Sequence, residues 1–296
     1  MASLHLRAFA KINLGLRILG RRADHYHEIR TMYQAISLAD EVRIELGSKP
    51  GGAVVETDDP GIPSGPENLA YRACEAWRKL RNSRRAVRIR IAKTIPSGSG
   101  LGGASSDAAA TVFGLERLTG DRLPLVSRLQ IGAELGSDVP FFMVGGRALG
   151  CGRGEEVYAL PDLPLRKCLV IFPSYSQSTR EAYAELDSQL TGQAKSRNMY
   201  SFGTWPQFPA DDWGPAENDF ESIVFAKWPE LGKLKRQLLR AGAEMASLSG
   251  SGTAVFAIFD SARKLVSAQR WVPPQWRSFA VRTLTRADCH GRLIAV

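Results

Sequence analysis

Residues 96–109 read PSGSGLGGASSDAA, and four glycines and four serines fall within the ten positions from 97 to 106. The stretch stands between a segment with strand-like alternation and one rich in alanine. Glycine reaches positive φ without steric cost, and successive N–H groups turned to one side form a concave site for an anion. A helix that starts near Ser105 or Ser106 would add the positive end of its dipole. The stretch therefore predicts a phosphate-binding loop.

Known glycine loops can be separated by residue type. A Walker A loop ends in Gly-Lys-Ser/Thr, but Gly102-Gly103 is followed by Ala104, so the phosphate-holding lysine is missing. Gly98, Gly100 and Gly103 satisfy the dinucleotide-binding pattern GxGxxG, which is weak evidence alone. A protein-kinase loop would need V-A-I-K, H-R-D and D-F-G motifs, and the sequence contains none of them.

The segment before the loop argues against a dinucleotide-binding fold. Residues 87–91, VRIRI, alternate apolar and charged, whereas a central parallel strand buried on both faces is apolar throughout. We expect an antiparallel strand with one wet face. Asp121 stands roughly where that fold has its ribose-binding acid, but Pro96 lengthens a turn that the fingerprint keeps tight.

Composition limits the class of protein. The 296 residues contain no apolar run near the roughly 18 residues of a membrane span, and the N-terminus alternates like a strand rather than a signal peptide. We expect a soluble, cytoplasmic protein. The cysteines are scattered without a CxxC, and the histidines offer no metal-ligand spacing with them, which predicts reduced structural thiols.

The formal net charge of +9 favours an anionic partner, either a nucleic acid or a nucleotide-like small molecule. The basic residues are spread along the chain, without an RNA-binding signature or a zinc finger. Charge alone does not choose between these partners, and solvated basic faces explain the same residues.

The pattern of the chain predicts an α+β protein of two domains, residues 1–160 and 161–296, because its length is near the limit of one core. Residues 192–215 carry many aromatic side chains, from which we expect an ordered loop with a packing role. Periodicity predicts strands over residues 4–10, 14–19, 41–45, 87–95, 141–144, 148–149, 169–172, 245–248, 253–259 and 279–284, and helices over 68–80, 106–118, 125–135, 230–241 and 261–270.

Four segments together resemble one family, the GHMP kinases, which phosphorylate galactose, homoserine, mevalonate, phosphomevalonate and related small molecules. PSGSGLGGASSDAA resembles the family's nucleotide loop, and AKINLGLRILGRRADHYHEI, residues 10–29, its N-terminal substrate strand. GSDVPFF, residues 136–142, resembles the catalytic aspartate motif, and SLSGSGTAVFAIF, residues 247–259, the C-terminal glycine loop. The resemblance spans nearly the whole chain.

The resemblance implies a fold and a reaction. The fold is the two-domain GHMP kinase fold, with an N-terminal domain like domain 2 of ribosomal protein S5 and a ferredoxin-like C-terminal domain. The co-substrate is ATP, with Mg²⁺. Within GRRADHYHEI, residues 20–29, the chain closely resembles the branch that phosphorylates the 2-hydroxyl of a cytidyl-diphosphate methylerythritol in the non-mevalonate route to isoprenoids. His25 and Ala104 stand where that branch usually has glycine.

Two residues match the family's catalytic pair. Asp138 is expected to accept the proton of the attacking hydroxyl, and Lys11 to keep Asp138 ionised and offset charge on the phosphoryl oxygens. An Asp that caps a helix and a Lys that protects an edge strand are the alternatives. Asn13 lies on the same strand face as Lys11 and could bind substrate hydroxyls or be a plain buried amide.

The remaining matches divide between the two substrates. Tyr26 is expected to stack on cytosine, His27 to hydrogen-bond its edge, and Tyr183, with Thr179 nearby, to cover its other face. Rather than binding ATP, Asn68 and Leu69 could form the start of a helix, and Lys93 could be a solvated side chain. Asp107 could compete with Ser105 and Ser106 as a ligand of Mg²⁺. The ATP site is expected to contain Asn68, Leu69, Lys93, Pro96, Ser97, Gly98, Ser99, Gly100, Leu101, Gly102, Gly103, Ala104, Ser105 and Ser106.

Gly250-Ser251-Gly252 could close the site near the phosphate or form an ordinary hairpin turn. Two other functions stay open: a GHMP kinase for mevalonate, homoserine or a sugar, and a basic nucleic-acid-binding protein. The expected partners are ATP and a cytidyl-diphosphate small molecule, without nucleic acid or membrane, and the expected state is a monomer or weak homodimer.

Overall fold

The structure is a computed structural model and describes residues 2–173, 175, 177–190 and 217–294. The aromatic segment 192–215 lies outside the described residues. Two β-sheets with helices packed on them form the protein, which confirms the α+β class. No helix in the described part is both long and apolar enough to cross a membrane.

The N-terminal part is built on a six-stranded sheet of order β3-β4-β2-β5-β6, with β1 paired along β2. Its elements in chain order are β1 (Ala2–Arg21), β2 (His27–Pro50), β3 (Ala53–Thr57), α1 (Leu69–Leu80), β4 (Arg85–Ala92), α2 (Gly103–Thr119), α3 (Leu125–Leu135), α4 (Val139–Val144), β5 (Arg147–Cys151) and β6 (Glu156–Ala159).

The first strand differs from its prediction. Residues 4–10 and 14–19 were expected as two strands, but β1 runs unbroken through Lys11 and Asn13. Its register with β2 shifts between Phe9 and Ala10, between Asn13 and Gly15 and between Ile18 and Gly20, and the pairing continues on both sides of each irregularity. Lys11 and Asn13 are therefore strand residues on one face of a paired sheet.

Residues 141–144 are wrongly predicted as a strand, because they belong to helix α4. A short apolar run such as FFMV fits a buried helix as well as a strand, and Pro140 in the first turn favours the helix. The prediction for residues 148–149 is confirmed by β5. Helix α2 begins at Gly103, two to three residues before the expected start near Ser105 or Ser106.

Strand β4 confirms the one wet face predicted from its alternation. Val87, Ile89 and Ile91 are buried, and the Arg88 side chain between them is 51% exposed. The strand pairs antiparallel with β2 as expected, but parallel with β3, which the alternation did not indicate. It ends at Ala92 rather than at residue 95.

The C-terminal part is a four-stranded antiparallel sheet of order β10-β7-β9-β8. Its elements are β7 (Lys167–Phe172), α5 (Thr179–Leu190), α6 (Glu221–Lys227), α7 (Pro229–Arg240), β8 (Met245–Leu248), β9 (Val255–Phe259), α8 (Ala262–Gln269), β10 (Arg277–Arg282) and α9 (Arg286–Gly291). This order matches the ferredoxin-like arrangement that the family resemblance implies.

The two sheets share a hydrophobic core. Ala10, Ile12 and Leu14 of β1 pack in one cluster with Val170 of β7 and Phe256 of β9. Side chains alternate along a strand, so Lys11 and Asn13 point to the opposite side of β1. The division of the chain at residue 160 stays a prediction, because this core joins the two parts.

Candidate active site

Lys11 and Asp138, the predicted catalytic pair, lie side by side. Lys11 Nζ is 3.3 Å from Asp138 Oδ2 and donates a 2.6 Å hydrogen bond to Asn13 Oδ1. The side chain of Lys11 is 4% exposed, whereas that of Asp138 is 31% exposed. A lysine that protects a sheet edge must face water, so burial removes that alternative for Lys11.

Asp138 stands at the N-cap position of α4, yet its side chain makes no capping hydrogen bond. The carboxylate contacts Lys11 on one oxygen and accepts a 3.0 Å hydrogen bond from the Tyr33 hydroxyl on the other. The capping alternative therefore does not explain this aspartate. Its carboxylate is held between a cation and a hydroxyl donor.

Tyr33 is a site residue that the sequence analysis missed. It lies on β2 directly opposite Asn13 and is almost fully buried. Burial and the neighbouring Asp138 carboxylate raise the pKa of the Tyr33 hydroxyl well above its ordinary value. Tyr33 therefore stays protonated and donates to Asp138. No short motif surrounds it, and only the strand register brings it to the site.

Asn13 is fixed by its neighbours. Its amide nitrogen donates to Thr31 Oγ1 at 2.6 Å, and the Thr31 hydroxyl donates to the Gly15 carbonyl at 2.8 Å. With its amide oxygen on Lys11, the Asn13 side chain orients the lysine and is itself oriented from β2. This geometry fits the buried-amide alternative, although Asn13 also lines the cavity described next.

Two cavities meet at Asp138. The larger cavity has a volume of about 660 Å³ and is lined by Lys11, Asn13, Tyr26, His27 and Tyr183, among others. The smaller cavity has a volume of about 390 Å³ and is lined by the glycine loop, defined here as residues 96–103, together with Asn68, Leu69 and Lys93. Leu101 of this loop is the exception: it is buried in the hydrophobic core and does not line the cavity, contrary to its prediction as an ATP-site residue. Both cavities are lined by Gly100, Ser105, Asp138 and Thr179.

The glycine loop has the backbone of an anion site. Gly98, Gly100 and Gly102 have φ values of 68°, 81° and 75°, a region that side chains disfavour. Helix α2 starts at Gly103 without a side-chain cap on its first N–H groups. Its positive dipole end therefore faces the smaller cavity without a capping side chain. Ala104 belongs to the helix, where alanine in place of glycine is favourable.

The glycine loop rests on a second loop, which joins β8 to β9 and is called the hairpin loop here (residues 249–254). A Cβ on Gly100 would lie 2.1 Å from the Ser249 carbonyl oxygen, and a Cβ on Gly252 would lie 2.4 Å from the backbone of Ser99. Ser249 Oγ also donates to the Gly100 carbonyl at 3.1 Å. The hairpin loop is therefore a turn and a support for the glycine loop at once.

The two serines of the predicted ATP site differ in position. Ser105 lines both cavities. Ser106 is buried, with its hydroxyl donating to the Phe9 carbonyl at 2.7 Å and its N–H donating to the Gly102 carbonyl at 2.9 Å. Ser105 is therefore placed to meet a ligand, and Ser106 attaches α2 to β1.

Lys93 is not solvated. Its ammonium group forms ion pairs with Asp40 and, at 2.8 Å, with Asp107, and all three side chains are at most 6% exposed. Burial acts to lower the pKa of Lys93, but the two carboxylates outweigh it and raise the pKa. We call these three residues the Lys93 cluster. It ties β2 and β4 to the start of α2, beneath the glycine loop.

Asp107 accepts fewer hydrogen bonds than Asp40, the other acid of this cluster. Its Oδ1 is buried and has no hydrogen-bond partner among the described residues. Burial and the nearby Asp40 raise the pKa of Asp107 to about 7, against the opposing effect of Lys93. Its other oxygen is engaged by Lys93, so a direct contact of Asp107 with Mg²⁺ would disrupt the ion pair.

Asn68 and Leu69 line the smaller cavity at the start of α1. The Asn68 side chain accepts from the Ala70 N–H at 2.8 Å and donates to the Pro63 carbonyl at 2.7 Å. These contacts fit the helix-start alternative for Asn68 and leave Leu69 as an apolar wall of the cavity.

Tyr26, His25 and Arg153 also line the larger cavity. The Arg153 guanidinium lies 4.8 Å from the centre of the Tyr26 ring, so one face of the ring carries a cation–π contact. His25 has a φ of +66°, a left-handed conformation that glycine adopts more easily than histidine.

His27 is the most constrained aromatic residue of the larger cavity. Its ring stacks on Tyr183 with centroids 4.6 Å apart, and its Nε2 lies 2.7 Å from Asp187 Oδ1. Tyr183 also contacts Phe220 edge to face. The structure thus places Tyr183 against His27. Thr179, four residues before Tyr183, accepts a 3.1 Å hydrogen bond from the Ser251 hydroxyl of the hairpin loop.

The sequence and fold have known counterparts. The GHMP kinases N terminal domain matches residues 68–146, and GHMP kinases C terminal matches residues 210–271. The fold is that of a GHMP kinase, as the four motifs indicated. A relative from Solibacter usitatus is 42% identical over 86% of this chain and 81% of its own length. This chain belongs to the 4-diphosphocytidyl-2-C-methyl-D-erythritol kinase family, and it is an ATP-dependent small-molecule kinase.

Further comparisons agree with this assignment. A relative of the same name from Geobacter sulfurreducens is 40% identical and covers 96% of this chain and all of its own length. A crystal structure of 4-(cytidine 5'-diphospho)-2C-methyl-D-erythritol kinase has a TM-score of 0.72 at 30% identity, covering 95% of this chain and 99% of its own. A homoserine kinase from Cytophaga hutchinsonii, at 20% identity and a TM-score of 0.69, shares the fold.

Proposed function

We propose that this chain transfers the γ-phosphoryl group of ATP to the 2-hydroxyl of 4-diphosphocytidyl-2-C-methyl-D-erythritol, giving the 2-phosphate and ADP. The observation that carries the proposal is the position of Asp138 and Ser105, which line both cavities. Two substrates that fill the two cavities would meet there. The GRRADHYHEI segment supports a cytidyl substrate for the larger cavity.

Asp138 acts as the base in this proposal. Tyr33 occupies its Oδ1, which leaves Oδ2 to accept the hydroxyl proton as the oxygen attacks the γ-phosphorus. Lys11, 3.3 Å from Oδ2, would stabilise negative charge on the transferred phosphoryl group. Phosphoryl transfer depends mainly on position and charge, which a preformed pair of this kind supplies.

The nucleotide would fill the smaller cavity. The N–H groups of the glycine loop and the first turn of α2 would hold its phosphates, and Leu69 would contact the adenosine part. The described residues contain no cluster of three or more His, Cys, Asp or Glu side chains fit for a metal ion. Mg²⁺ fits as a partner of the phosphates, with the Ser105 hydroxyl as a hard oxygen ligand, and would neutralise phosphate charge.

The test is incubation of the purified chain with Mg²⁺-ATP and 4-diphosphocytidyl-2-C-methyl-D-erythritol, followed by phosphorus NMR. We expect a new phosphomonoester signal and stoichiometric ADP. Mevalonate, homoserine and galactose serve as competing acceptors in parallel reactions. Phosphorylation of one of these with the cytidyl substrate left unchanged would overturn the proposal.

The location of the enzyme and its partners are further proposals. A cytoplasmic enzyme that is a monomer or weak homodimer is expected, with no nucleic acid or membrane as partner. RNA or DNA binding that is strong, salt-dependent and unaffected by ATP would support the nucleic-acid alternative for the basic surface.

A further inference from the structure

The contact between His27 and Asp187 joins residues 160 positions apart. His27 begins β2 and its side chain is 8% exposed, while Asp187 lies on α5 with a side chain that is 32% exposed. The carboxylate is therefore the more exposed partner of the pair, and the imidazole is the buried one. Both residues line this cavity.

The geometry of helix α5 explains why one element makes both contacts to His27. Tyr183 and Asp187 are four residues apart and lie on the same helix face. Tyr183 stacks on the imidazole at 4.6 Å with an interplanar angle of 20°, while Asp187 contacts Nε2 at 2.7 Å. The helix thus fixes the plane of the ring and engages one of its two nitrogens.

We propose that Asp187 is a positioning residue that holds His27 with the proton on Nε2, so that Nδ1 presents a lone pair to the base of the bound substrate. The inference rests on the proposed function. A carboxylate accepts hydrogen bonds and cannot donate when ionised, so the 2.7 Å contact requires Nε2–H. With the proton of a neutral imidazole on Nε2, Nδ1 is the acceptor of the ring.

An acceptor at Nδ1 gives the cavity a preference for cytosine. Cytosine has an amino group at position 4, which donates, whereas uracil has a carbonyl oxygen there, which accepts. His27 Nδ1 accepts from the amino group, and with uracil two lone pairs would oppose each other. A site that hydrogen-bonds one polar group of its ligand discriminates strongly against an analogue that lacks this group. A site that selects its ligand by shape alone discriminates much less.

The test compares the cytidyl substrate with its uridyl analogue, 4-diphosphouridyl-2-C-methyl-D-erythritol, in wild type, Asp187→Asn and Asp187→Ala. The amide introduced by Asp187→Asn could donate to Nε2 and permit the proton on Nδ1, and alanine removes the partner altogether. Glu185→Gln is the matched control, because it removes one negative charge from α5 at a residue outside the cavity lining. Kd for ATP and the Tm of each variant are measured alongside.

We expect the ratio of kcat/KM for the cytidyl to the uridyl substrate to fall by tenfold or more in both Asp187 variants. KM for the cytidyl substrate should rise with little change in kcat, and Glu185→Gln should keep the wild-type ratio. An unchanged ratio, or equal losses with both substrates, would overturn the role of Asp187. Failure of the wild type to phosphorylate the cytidyl substrate would instead remove the proposed function.

Discussion

Lysine–aspartate contacts occur at two places beside the glycine loop, and the two places differ in exposure. The Lys11–Asp138 pair joins a buried lysine to an aspartate that is 31% exposed and lines both cavities. In the Lys93 cluster the lysine and both carboxylates are at most 6% exposed. The same chemical groups therefore suit a reaction in one place and a structural connection in the other. Access to a cavity, rather than the pairing itself, separates the two.

The largest effect is expected for Asp138→Asn. Loss of the proposed base should lower kcat by about 10³-fold, within the usual range for general base catalysis, while Kd for ATP changes little. Steady-state kinetics and ATP titration test this expectation. Asp121→Asn, at a side chain that is 51% exposed, is the control and should keep wild-type turnover. Wild-type kcat in Asp138→Asn would exclude this residue from the mechanism.

Lys93→Met tests the structural side of the comparison. Removal of the cation leaves two buried carboxylates unpaired, and breaking a buried pair in this way typically costs about 3–5 kcal/mol. Urea unfolding should show a loss of that size. Lys264→Met, which breaks the exposed contact with Asp260, should barely change the midpoint. Equal midpoints for the two variants would mean that the Lys93 cluster contributes no more than a surface pair.

The pH dependence of the free energy of unfolding tests the environment of Asp107 in the Lys93 cluster. The pKa of Asp107 is raised from 3.8 to about 7, so the folded state holds its proton more tightly than the unfolded chain. The stabilisation from this proton is complete below pH 3.8 and is lost as the pH rises through about 7. The contribution of Asp107 should therefore make the free energy of unfolding fall over this interval.

Asp107→Asn removes the titrating group, so the fall between about pH 4 and pH 7 should be smaller in this variant. Urea unfolding at several pH values provides the measurement, and Asp121→Asn is again the control because its side chain is exposed. Identical pH profiles for Asp107→Asn and wild type would contradict the raised pKa.

The smallest effect is expected at His25, which lines the larger cavity and has a φ of +66°. Glycine tolerates this conformation better, so His25→Gly should raise the free energy of unfolding by about 1 kcal/mol or less. His5→Gly is the matched control, because His5 lies within strand β1, where glycine destabilises. Destabilisation by both variants to the same extent would show that His25 is not strained.

The sequence predicted the parts of the site that lie in continuous motifs. Lys11, Asp138 and the glycine loop belong to such segments, and the structure brings all three to one place. Tyr33 and Asp187 escaped prediction because they reach the site through strand register and helix spacing. Only the folded chain brings these residues together with the motifs.

Two other differences between the predicted and the observed structure have local causes. The run FFMV fits either a helix or a strand by periodicity, and its contacts within the folded chain decide for α4. Lys93 follows a strand with charged residues on its wet face, so nothing in its neighbourhood indicated burial. Its two carboxylate partners come from β2 and α2, at distances along the chain that no motif connects.

The contact between the glycine loop and the hairpin loop decides whether the glycine-loop motif can be transferred to another protein. Gly100 and Ser249 are 149 residues apart, yet the backbone of one lies directly on the backbone of the other. The shape of the glycine loop is thus set partly by a distant part of the chain. Grafting residues 96–109 alone into another protein would transfer the sequence of this motif without the surface that holds it in position.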